Sequence, residues 1–172
     1  MSITIRKALP EDAYNYAMCH IACWQTAYKG IVFDEYLCEM IIKKEERIEK
    51  YKNVLQEPGD CEYYCVLHAE TMIGFLTINK SQNDSKANVG EIWAIYLLEA
   101  YRGKGYGRDL LDFAVNELKQ IDPVEILLWV FEKNIKARRF YEKCGFVFDG
   151  TKKESTAWGG PLVVVKYVLS VI

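Results

Sequence analysis

The chain has 172 residues, of which 51% are hydrophobic, and its 22 lysine and arginine residues nearly balance its 24 aspartate and glutamate residues. This size and apolar content suffice for one domain with its own core, so we expect a single domain over residues 1–172. The formal charge of −2 provides no basic stripe for a phosphate backbone, which argues against a nucleic-acid partner. No apolar run reaches the roughly 20 residues of a membrane-spanning helix, and no signal-peptide core opens the chain. We therefore expect a cytoplasmic protein without a membrane partner.

The six cysteines are spread along the chain and do not form a metal-binding pattern. Cys19 and Cys23 lack the two-residue spacer that zinc knuckles use, and so do Cys61 and Cys65. We therefore expect free thiols and no metal site.

The first third of the chain predicts a strand followed by helices. Ile3 and Ile5 alternate with polar neighbours, as in a short strand, and the segment 9–12 has the proline and acidic residues of a helix start. Gly30 is expected to end this helix. Its apolar face contains Tyr14, Ala17, Met18, Ile21, Trp24 and Tyr28. Residues 28–37 are interpreted as an irregular connection and residues 41–55 as a second, charged helix.

The middle of the chain predicts a hairpin and then a strand–helix–strand unit. Residues 63–69 and 72–79 form the two hairpin strands, joined at Glu70-Thr71, and residues 80–88 form a polar surface loop. Residues 89–98 make a nearly continuous apolar run, which is typical of a strand covered on both faces. A helix follows, and residues 124–131 form the next strand, so the two strands should be parallel.

The last third of the chain predicts one helix and two strands. Asn134 is a suitable N-cap, and Gly145 is expected to stop the short helix that it begins. The inward face of this helix contains Ala137, Phe140, Tyr141 and Cys144. Residues 146–148 and 162–169 are the final strands, separated by a polar segment at 151–161.

Residues 101–108 place three alternating glycines between a strand and a helix. Free backbone N–H groups and the positive end of the helix dipole meet there, so the loop is suited to an anion such as a pyrophosphate. Arg102, Lys104 and Arg108 can add positive charge. The loop lacks the Gly-Lys-Ser/Thr of a Walker motif, and a dinucleotide fingerprint would need glycine at Arg108. A turn that serves only tight packing is the alternative.

The motif Arg102-x-x-Gly105-x-Gly107 resembles the acyl-CoA loop of the GNAT superfamily of N-acetyltransferases. The preceding strand 91–97, the motif Asn134-x-x-Ala137-x-x-Phe140-Tyr141 and the exit 143–146 are similar to the same family, so the resemblance covers residues 89–148. It implies a mixed α/β (α+β) domain with a mostly antiparallel, splayed sheet of about seven strands and about four helices.

The resemblance also implies an acetyl-CoA cosubstrate whose pantetheine arm enters between two splayed parallel strands. It assigns cofactor contacts to Ile95, Tyr96, Leu97, Arg102, Gly103, Lys104, Gly105, Tyr106, Gly107, Arg108 and Asn134. The implied reaction is direct attack of a neutral amine on the thioester, without an acyl-enzyme.

Three catalytic groups are expected for this reaction. Glu91 is the candidate base, acting through water, because a carboxylate within an apolar strand becomes a better proton acceptor. Tyr141 is the candidate acid for the thiolate, and a backbone N–H near Tyr96 is the candidate oxyanion donor. The alternatives are a structural carboxylate and a core tyrosine. Cys144 is interpreted as a packing residue rather than a nucleophile, and His20 as a structural or exposed residue rather than a base.

The acceptor is not determined by any motif. One hypothesis is an aromatic and acidic cleft suited to a cation, built from Trp24, Tyr28, Asp34, Glu35 and Trp158. Polyamines, amino sugars, amino acids and the amines of peptides or proteins stay open, as does a longer acyl group. A non-catalytic acyl-CoA sensor and a structural scaffold are the alternative functions. A homodimer could form if residues 162–172 were a sheet edge.

Overall fold

The computed structural model describes residues 3–80 and 88–171, and it contains one seven-stranded sheet. The strands are β1 (Thr4–Lys7), β2 (Cys61–His68), β3 (Thr71–Asn79), β4 (Val89–Leu97), β5 (Glu125–Phe131), β6 (Val147–Ser155) and β7 (Leu162–Ser170). Their order across the sheet is β1-β2-β3-β4-β5-β7-β6. Neighbouring strands are antiparallel except β4 and β5, which are parallel as predicted.

Five α-helices flank the sheet, one more than the sequence predicted. They are α1 (Ala13–Ala27), α2 (Asp34–Ile42), α3 (Lys44–Gln56), α4 (Tyr106–Lys119) and α5 (Ile135–Lys143). Cys65 and Phe75 pack with α1 and α3, whereas Val66 and Leu76 pack with α4. Because successive strand residues point to opposite faces, α1 and α3 cover one face of the sheet and α4 covers the other. None of the helices in the described segments is long and apolar enough to cross a membrane.

The prediction was wrong for helix α2. Its first residues were assigned to an irregular connection and its last two to the charged helix. Leu37 and Met40 are buried and three residues apart, so this short helix packs on the core. Lys43 then interrupts the helical path before α3 begins. The charged helix was predicted to begin at residue 41. Ile41 and Ile42 instead belong to the end of α2, where they are 52% and 80% exposed.

The hairpin and α1 also differ from the predictions in detail. The β2–β3 turn lies at Ala69 and Glu70, one residue earlier than predicted, and both have positive φ angles, 47° and 64°. In α1, Tyr14 is 59% exposed, whereas Tyr16 is fully buried and its hydroxyl donates to the Leu76 carbonyl at 3.0 Å. The predicted polar loop at 80–88 lies, for residues 81–87, outside the described residues.

Strand β6 is longer than predicted, because it includes part of the segment that was read as a polar connection. Gly150 has a φ of 90° and accommodates a register shift between Phe148 and Lys152. The strand then continues with exposed polar residues to Ser155. Polar residues are tolerated there because β6 is an edge strand with one side in solvent.

Strand β7 corrects the prediction that the C-terminal apolar run is a free sheet edge. It pairs with β5 on one side and with β6 on the other. Leu162, Val165 and Tyr167 are buried, so the run is apolar because it lies inside the sheet. The argument for a homodimer through this strand therefore fails.

The parallel strands β4 and β5 separate halfway along their length. Their pairing runs from Val89 opposite Glu125 to Ile92 opposite Leu128 and then stops. Beyond this point β4 stays paired with β3, and β5 stays paired with β7. Trp93 is an extra residue in β4, because the β3 register shifts between Thr77 and Ile78 at this position. The result is a wedge-shaped gap between two otherwise continuous strands, as the family resemblance implied.

Gly74 on β3 allows β4 to lie close at the open end of the gap. A Cβ atom built at this position would lie 2.3 Å from the Tyr96 carbonyl oxygen, which is backbone and cannot rotate away. We expect Gly74→Ala to lower the free energy of unfolding by about 1–3 kcal/mol through overpacking. Urea unfolding measures this change. Gly90→Ala is the matched control on β4, because the atoms nearest to its Cβ would be those of the Leu118 side chain, at 3.0 Å or more, and not backbone. Equal losses in the two variants would contradict this role of Gly74.

Candidate active site

A cavity of about 890 Å³ occupies the gap between β4 and β5 and continues to the glycine loop and α5. This volume is in the range of cavities that bind drug-sized ligands and cofactors. Nine of the eleven predicted cofactor residues line this cleft: Ile95, Tyr96, Leu97, Arg102, Gly103, Gly105, Gly107, Arg108 and Asn134. Lys104 and Tyr106 are outside its lining. The Lys104 ammonium instead lies over the Tyr101 ring, 5.2 Å from its centroid.

The glycine loop has the backbone conformation that an anion site requires. Gly103 and Gly105 have φ angles of 74° and 91°, and a Cβ atom at either would project into open space. The left-handed backbone, rather than crowding, therefore explains these two glycines. The amides of Arg108 and Asp109 donate to the Gly105 carbonyl at 2.9 and 3.3 Å, so the α4 hydrogen-bond ladder begins behind the loop. The loop amides at the N-terminus of α4 form the positive end of the helix dipole.

The cleft is strongly basic although the chain as a whole is slightly acidic. Among the described residues that line it, one is acidic, Glu99, and five are basic. The basic residues are Lys29, Arg102, Arg108, Lys133 and Lys136. Sequence reasoning missed the three lysines, although two of them flank Asn134, a residue that it had identified. This concentration of charge suits the phosphate groups of coenzyme A.

The two predicted arginines also form hydrogen bonds or ion pairs with other residues of the protein. Arg102 Nε donates to the Leu97 carbonyl at 2.9 Å, and its Nη2 donates to the Thr26 hydroxyl at 3.0 Å. This side chain therefore joins the loop to the end of β4 and to α1. Arg108 pairs with Asp112 on the next turn of α4, at 3.1 Å. Asn134 caps α5 as predicted, because its side-chain oxygen accepts from the Ala137 amide at 3.2 Å.

The backbone of β4 offers hydrogen-bonding groups to the gap in alternate residues. The Leu98 amide donates to the Ile73 carbonyl of β3 at 2.8 Å, and Tyr96 lies opposite Phe75. By the alternation of an antiparallel ladder, the amides of Tyr96 and Leu98 face β3. The amides of Ile95 and Leu97 then face the gap. The gap-facing amides nearest to the predicted oxyanion position at Tyr96 are therefore those of Ile95 and Leu97.

Tyr141 lies where the acid was predicted, in the lining of the cleft. The side chain is buried, and burial raises the pKa of its phenol well above the usual value, with a further contribution from the neighbouring Tyr28. The hydroxyl therefore stays protonated at neutral pH and is available as a donor. The same position is part of the core, because Tyr141 also packs near Phe146 and Tyr167.

Glu91 lies in the section of β4 that is still paired with β5, opposite Leu127. Its side chain is half-buried rather than enclosed, and it lines neither described cavity. The expected burial on both faces of β4 is therefore wrong at this end of the strand. Two residues further along the strand, Trp93 is 56% exposed and faces the open gap.

A second cavity, of about 380 Å³, is surrounded by aromatic side chains. All four tryptophans of the chain line it, namely Trp24, Trp93, Trp129 and Trp158. Trp24, Tyr28 and Trp158 were predicted for the acceptor and are here. Asp34 and Glu35 were also predicted, but they lie exposed in the first turn of α2, where acidic residues favour the helix dipole, and they are outside the lining.

The two cavities meet at four aromatic residues that line both of them. These are Tyr28, Trp93, Tyr96 and Trp129. The hydroxyls of Tyr28 and Tyr96 are 2.5 Å apart, so one donates to the other. Burial raises the pKa of Tyr28 to about 12 and that of Tyr96 well above its usual value. A ligand in the cleft can thus meet a second ligand at this junction, among aromatic side chains.

His20 and most of the cysteines pack inside the protein, whereas Cys38 is exposed. The His20 ring lies among Trp24, Phe75 and Tyr96, and its Nδ1 is 2.7 Å from the Tyr51 hydroxyl. Burial, with smaller effects of Arg47 and Lys50, lowers the pKa of this histidine to about 3. Cysteines in the described segments are free thiols, and no group of three or more His, Cys, Asp or Glu side chains there could hold a metal ion.

Comparison with known proteins gives consistent matches. A sequence model of the acetyltransferase (GNAT) family matches residues 24–146. The spermidine N(1)-acetyltransferase of Thermoplasma acidophilum is 30% identical over 154 residues, which cover 88% of this chain and 92% of the relative. The uncharacterized N-acetyltransferase YuaI of Bacillus subtilis is 30% identical over 134 residues, covering 77% and 73%. The crystal structure of the PaiA N-acetyltransferase from Thermoplasma acidophilum with coenzyme A has a TM-score of 0.75 and 26% identity, covering 99% of each chain.

The partly buried His20 makes stability depend on pH, because its ring is desolvated among aromatic side chains. Above a pH of about 6.5, the ordinary pKa of histidine, the ring is neutral in the folded and unfolded states. Below it the unfolded chain binds a proton that folded His20 accepts only near pH 3, so stability falls with the pH. We expect this residue to account for a loss of about 2 kcal/mol between pH 7 and pH 5. Urea unfolding of wild type and His20→Gln at both pH values measures it, and parallel losses in the two proteins would contradict it.

Proposed function

The chain belongs to the acetyltransferase (GNAT) family, and on that premise we propose that it moves the acetyl group of acetyl-CoA directly onto a primary amine. The observation that carries this proposal is the junction at which the basic cleft meets the aromatic cavity. With an acyl donor in the basic cleft and an amine in the aromatic cavity, the thioester carbon and the amine nitrogen would meet at this junction. Such positioning replaces an encounter in solution and can supply much of the rate enhancement.

The cleft offers a distinct group for each part of acetyl-CoA. The pyrophosphate would bind the amides of Gly103, Gly105 and Gly107 at the start of α4. The pantetheine amides would pair with the gap-facing backbone of Ile95 and Leu97, as an added strand would. The lysines of the cleft lining would attract the remaining phosphate. Asn134 uses its side-chain oxygen on α5, so its amide NH2 is the group that can donate to the cofactor.

The proposed reaction proceeds through a tetrahedral intermediate. The amine nitrogen attacks the thioester carbon, and the carbonyl oxygen becomes an oxyanion that the Ile95 or Leu97 amide stabilises. The carbon–sulfur bond then breaks, and the departing thiolate takes a proton from the Tyr141 hydroxyl. The nitrogen loses its extra proton to the base and from there to solvent, and solvent returns a proton to Tyr141, which leaves an amide, free coenzyme A and the enzyme in its starting state. No residue is acylated in this sequence, so no nucleophilic side chain is needed.

Glu91 stays our candidate for the base that accepts the proton of the amine. Its carboxylate is outside both cavities, so a chain of water molecules past Trp93 would have to carry the proton. A partly hydrated carboxylate suits such a relay, because it can exchange the proton with solvent afterwards. The role is therefore indirect and should change the rate more than the affinity for either substrate.

Polyamines are the acceptors to test first. A relative 30% identical to this chain is named as a spermidine N(1)-acetyltransferase, and a Bacillus subtilis relative, 30% identical over 110 residues, is named as a spermine/spermidine N(1)-acetyltransferase. The aromatic lining of the second cavity supports a cationic acceptor, because ring faces attract ammonium groups.

Release of free coenzyme A from acetyl-CoA, measured over a panel of polyamines, amino sugars and amino acids, tests the proposed reaction. We expect turnover with at least one amine class and a loss of about 10²-fold or more in kcat for Tyr141→Phe, with KM for acetyl-CoA little changed. Tyr167→Phe is the matched control, because it removes a buried hydroxyl bonded to Glu142 and Arg138 outside the cleft. If the protein binds acetyl-CoA but releases no free coenzyme A with any amine of the panel, the acyl-CoA sensor would be favoured instead. Full turnover by Tyr141→Phe would make Tyr141 a packing residue.

The contribution of Glu91 is tested by Glu91→Gln, which keeps the size of the side chain and removes its ability to accept a proton. We expect kcat to fall about 10²-fold, KM values to stay close to wild type, and the dependence of kcat on pH to change. Glu154→Gln provides a comparison, because it removes a carboxylate of β6 beside the aromatic cavity, away from β4, and should leave the pH dependence of kcat unchanged. A pH–rate profile identical to wild type in Glu91→Gln would exclude Glu91 as the base.

A further inference from the structure

The aromatic cavity already holds one ammonium group, and it belongs to the protein. The Lys153 Nζ lies over the Trp129 ring, 4.0 Å from the ring centroid. This is well within the roughly 6 Å at which a ring face attracts a cation. Both residues line the cavity, so the contact lies inside the proposed acceptor site. The face of Trp129 is therefore a place where an alkylammonium group is bound.

The contact at Lys153 differs from that of its neighbour on β6. Lys152 points to the opposite side of the strand and pairs with Glu132 at 2.5 Å. None of the ion pairs in the described segments includes Lys153, and its side chain is exposed. Its ammonium can therefore leave the ring for solvent at small cost, because exposed cation–π contacts are weak.

A diamine acceptor needs a binding site for its second, protonated amine. Its reacting nitrogen must be neutral at the junction with the cleft, but its second amine stays protonated at neutral pH, since alkylamines have pKa values near 10. A protonated amine inside an apolar cavity requires a compensating group. Trp129 lines both cavities, so its ring face lies within reach of an acceptor whose other end is at the junction.

We propose that the Trp129 face is a cation subsite for the second ammonium of a diamine or polyamine acceptor, and that Lys153 occupies this subsite until the acceptor displaces it. Lys153 is thus a specificity-determining residue that lowers the affinity for cationic acceptors by competing within the same chain. The substrate part of this inference rests on the proposed function, whereas the subsite itself does not.

The subsite is tested without turnover by titrating the coenzyme A complex with tetramethylammonium, a cation that cannot be acetylated. Intrinsic fluorescence reports binding, because every tryptophan of the chain lines this cavity. We expect Lys153→Met to bind tetramethylammonium about two- to fivefold more tightly than wild type. Lys152→Met removes the same charge from the other side of the strand and should bind like wild type. Lys153→Arg, which can occupy the ring face itself, should also bind like wild type.

The role in selectivity is tested by the acetylation of 1,4-diaminobutane and of 4-aminobutan-1-ol, which lacks the second ammonium. In Lys153→Met we expect KM for the diamine to fall about two- to fivefold with kcat unchanged, and KM for the amino alcohol to stay the same. Equal tetramethylammonium affinities in wild type, Lys153→Met and Lys152→Met would overturn the subsite. A rise in KM for amino acids in Lys153→Met would instead make Lys153 a carboxylate ligand and would also overturn it. If no amine is acetylated but Lys153→Met still binds tetramethylammonium more tightly than wild type, the proposed function would be refuted and the subsite would not.

Discussion

The separation of β4 and β5 is the constraint on which the site depends. Each strand keeps its antiparallel partner beyond Ile92 and Leu128, so neither can bend back to close the gap. Backbone groups that face such a gap need a hydrogen-bonding partner, which water or a ligand with amide groups can provide. The sheet therefore presents a preformed strand edge in its interior, and the glycine loop at the end of β4 places an anion site beside it.

The junction of the two cavities shows how burial tunes the groups around it. Tyr28, Tyr96 and Tyr141 all have raised pKa values, mainly because burial disfavours the phenolate. These hydroxyls therefore stay protonated and act as donors, which is what an oxyanion or a departing thiolate requires. Glu91 lies outside both cavities, in the paired part of β4. Charge that develops during a reaction here would be stabilised by dipoles that are already in place.

The charge of the site differs from the charge of the chain. A formal charge of −2 gives no indication of a cleft with five basic side chains and one acidic side chain in its described lining. Lys29 follows α1, whereas Lys133 and Lys136 surround the start of α5, and only folding brings them together. The aromatic cavity has the same origin, since its four tryptophans come from α1, β4, β5 and the connection between β6 and β7.

The sequence by itself determined the features that depend on local backbone chemistry. The left-handed glycines of the loop, the Asn134 cap and the parallel strands around α4 were all readable, because neighbouring residues impose them. Only the tertiary structure decided that residues 34–42 form a helix, that β7 lies inside the sheet, and that Lys153 faces Trp129. These outcomes depend on which distant surface each segment meets. Burial and charge at such contacts are properties of the packed molecule, and no local pattern encodes them.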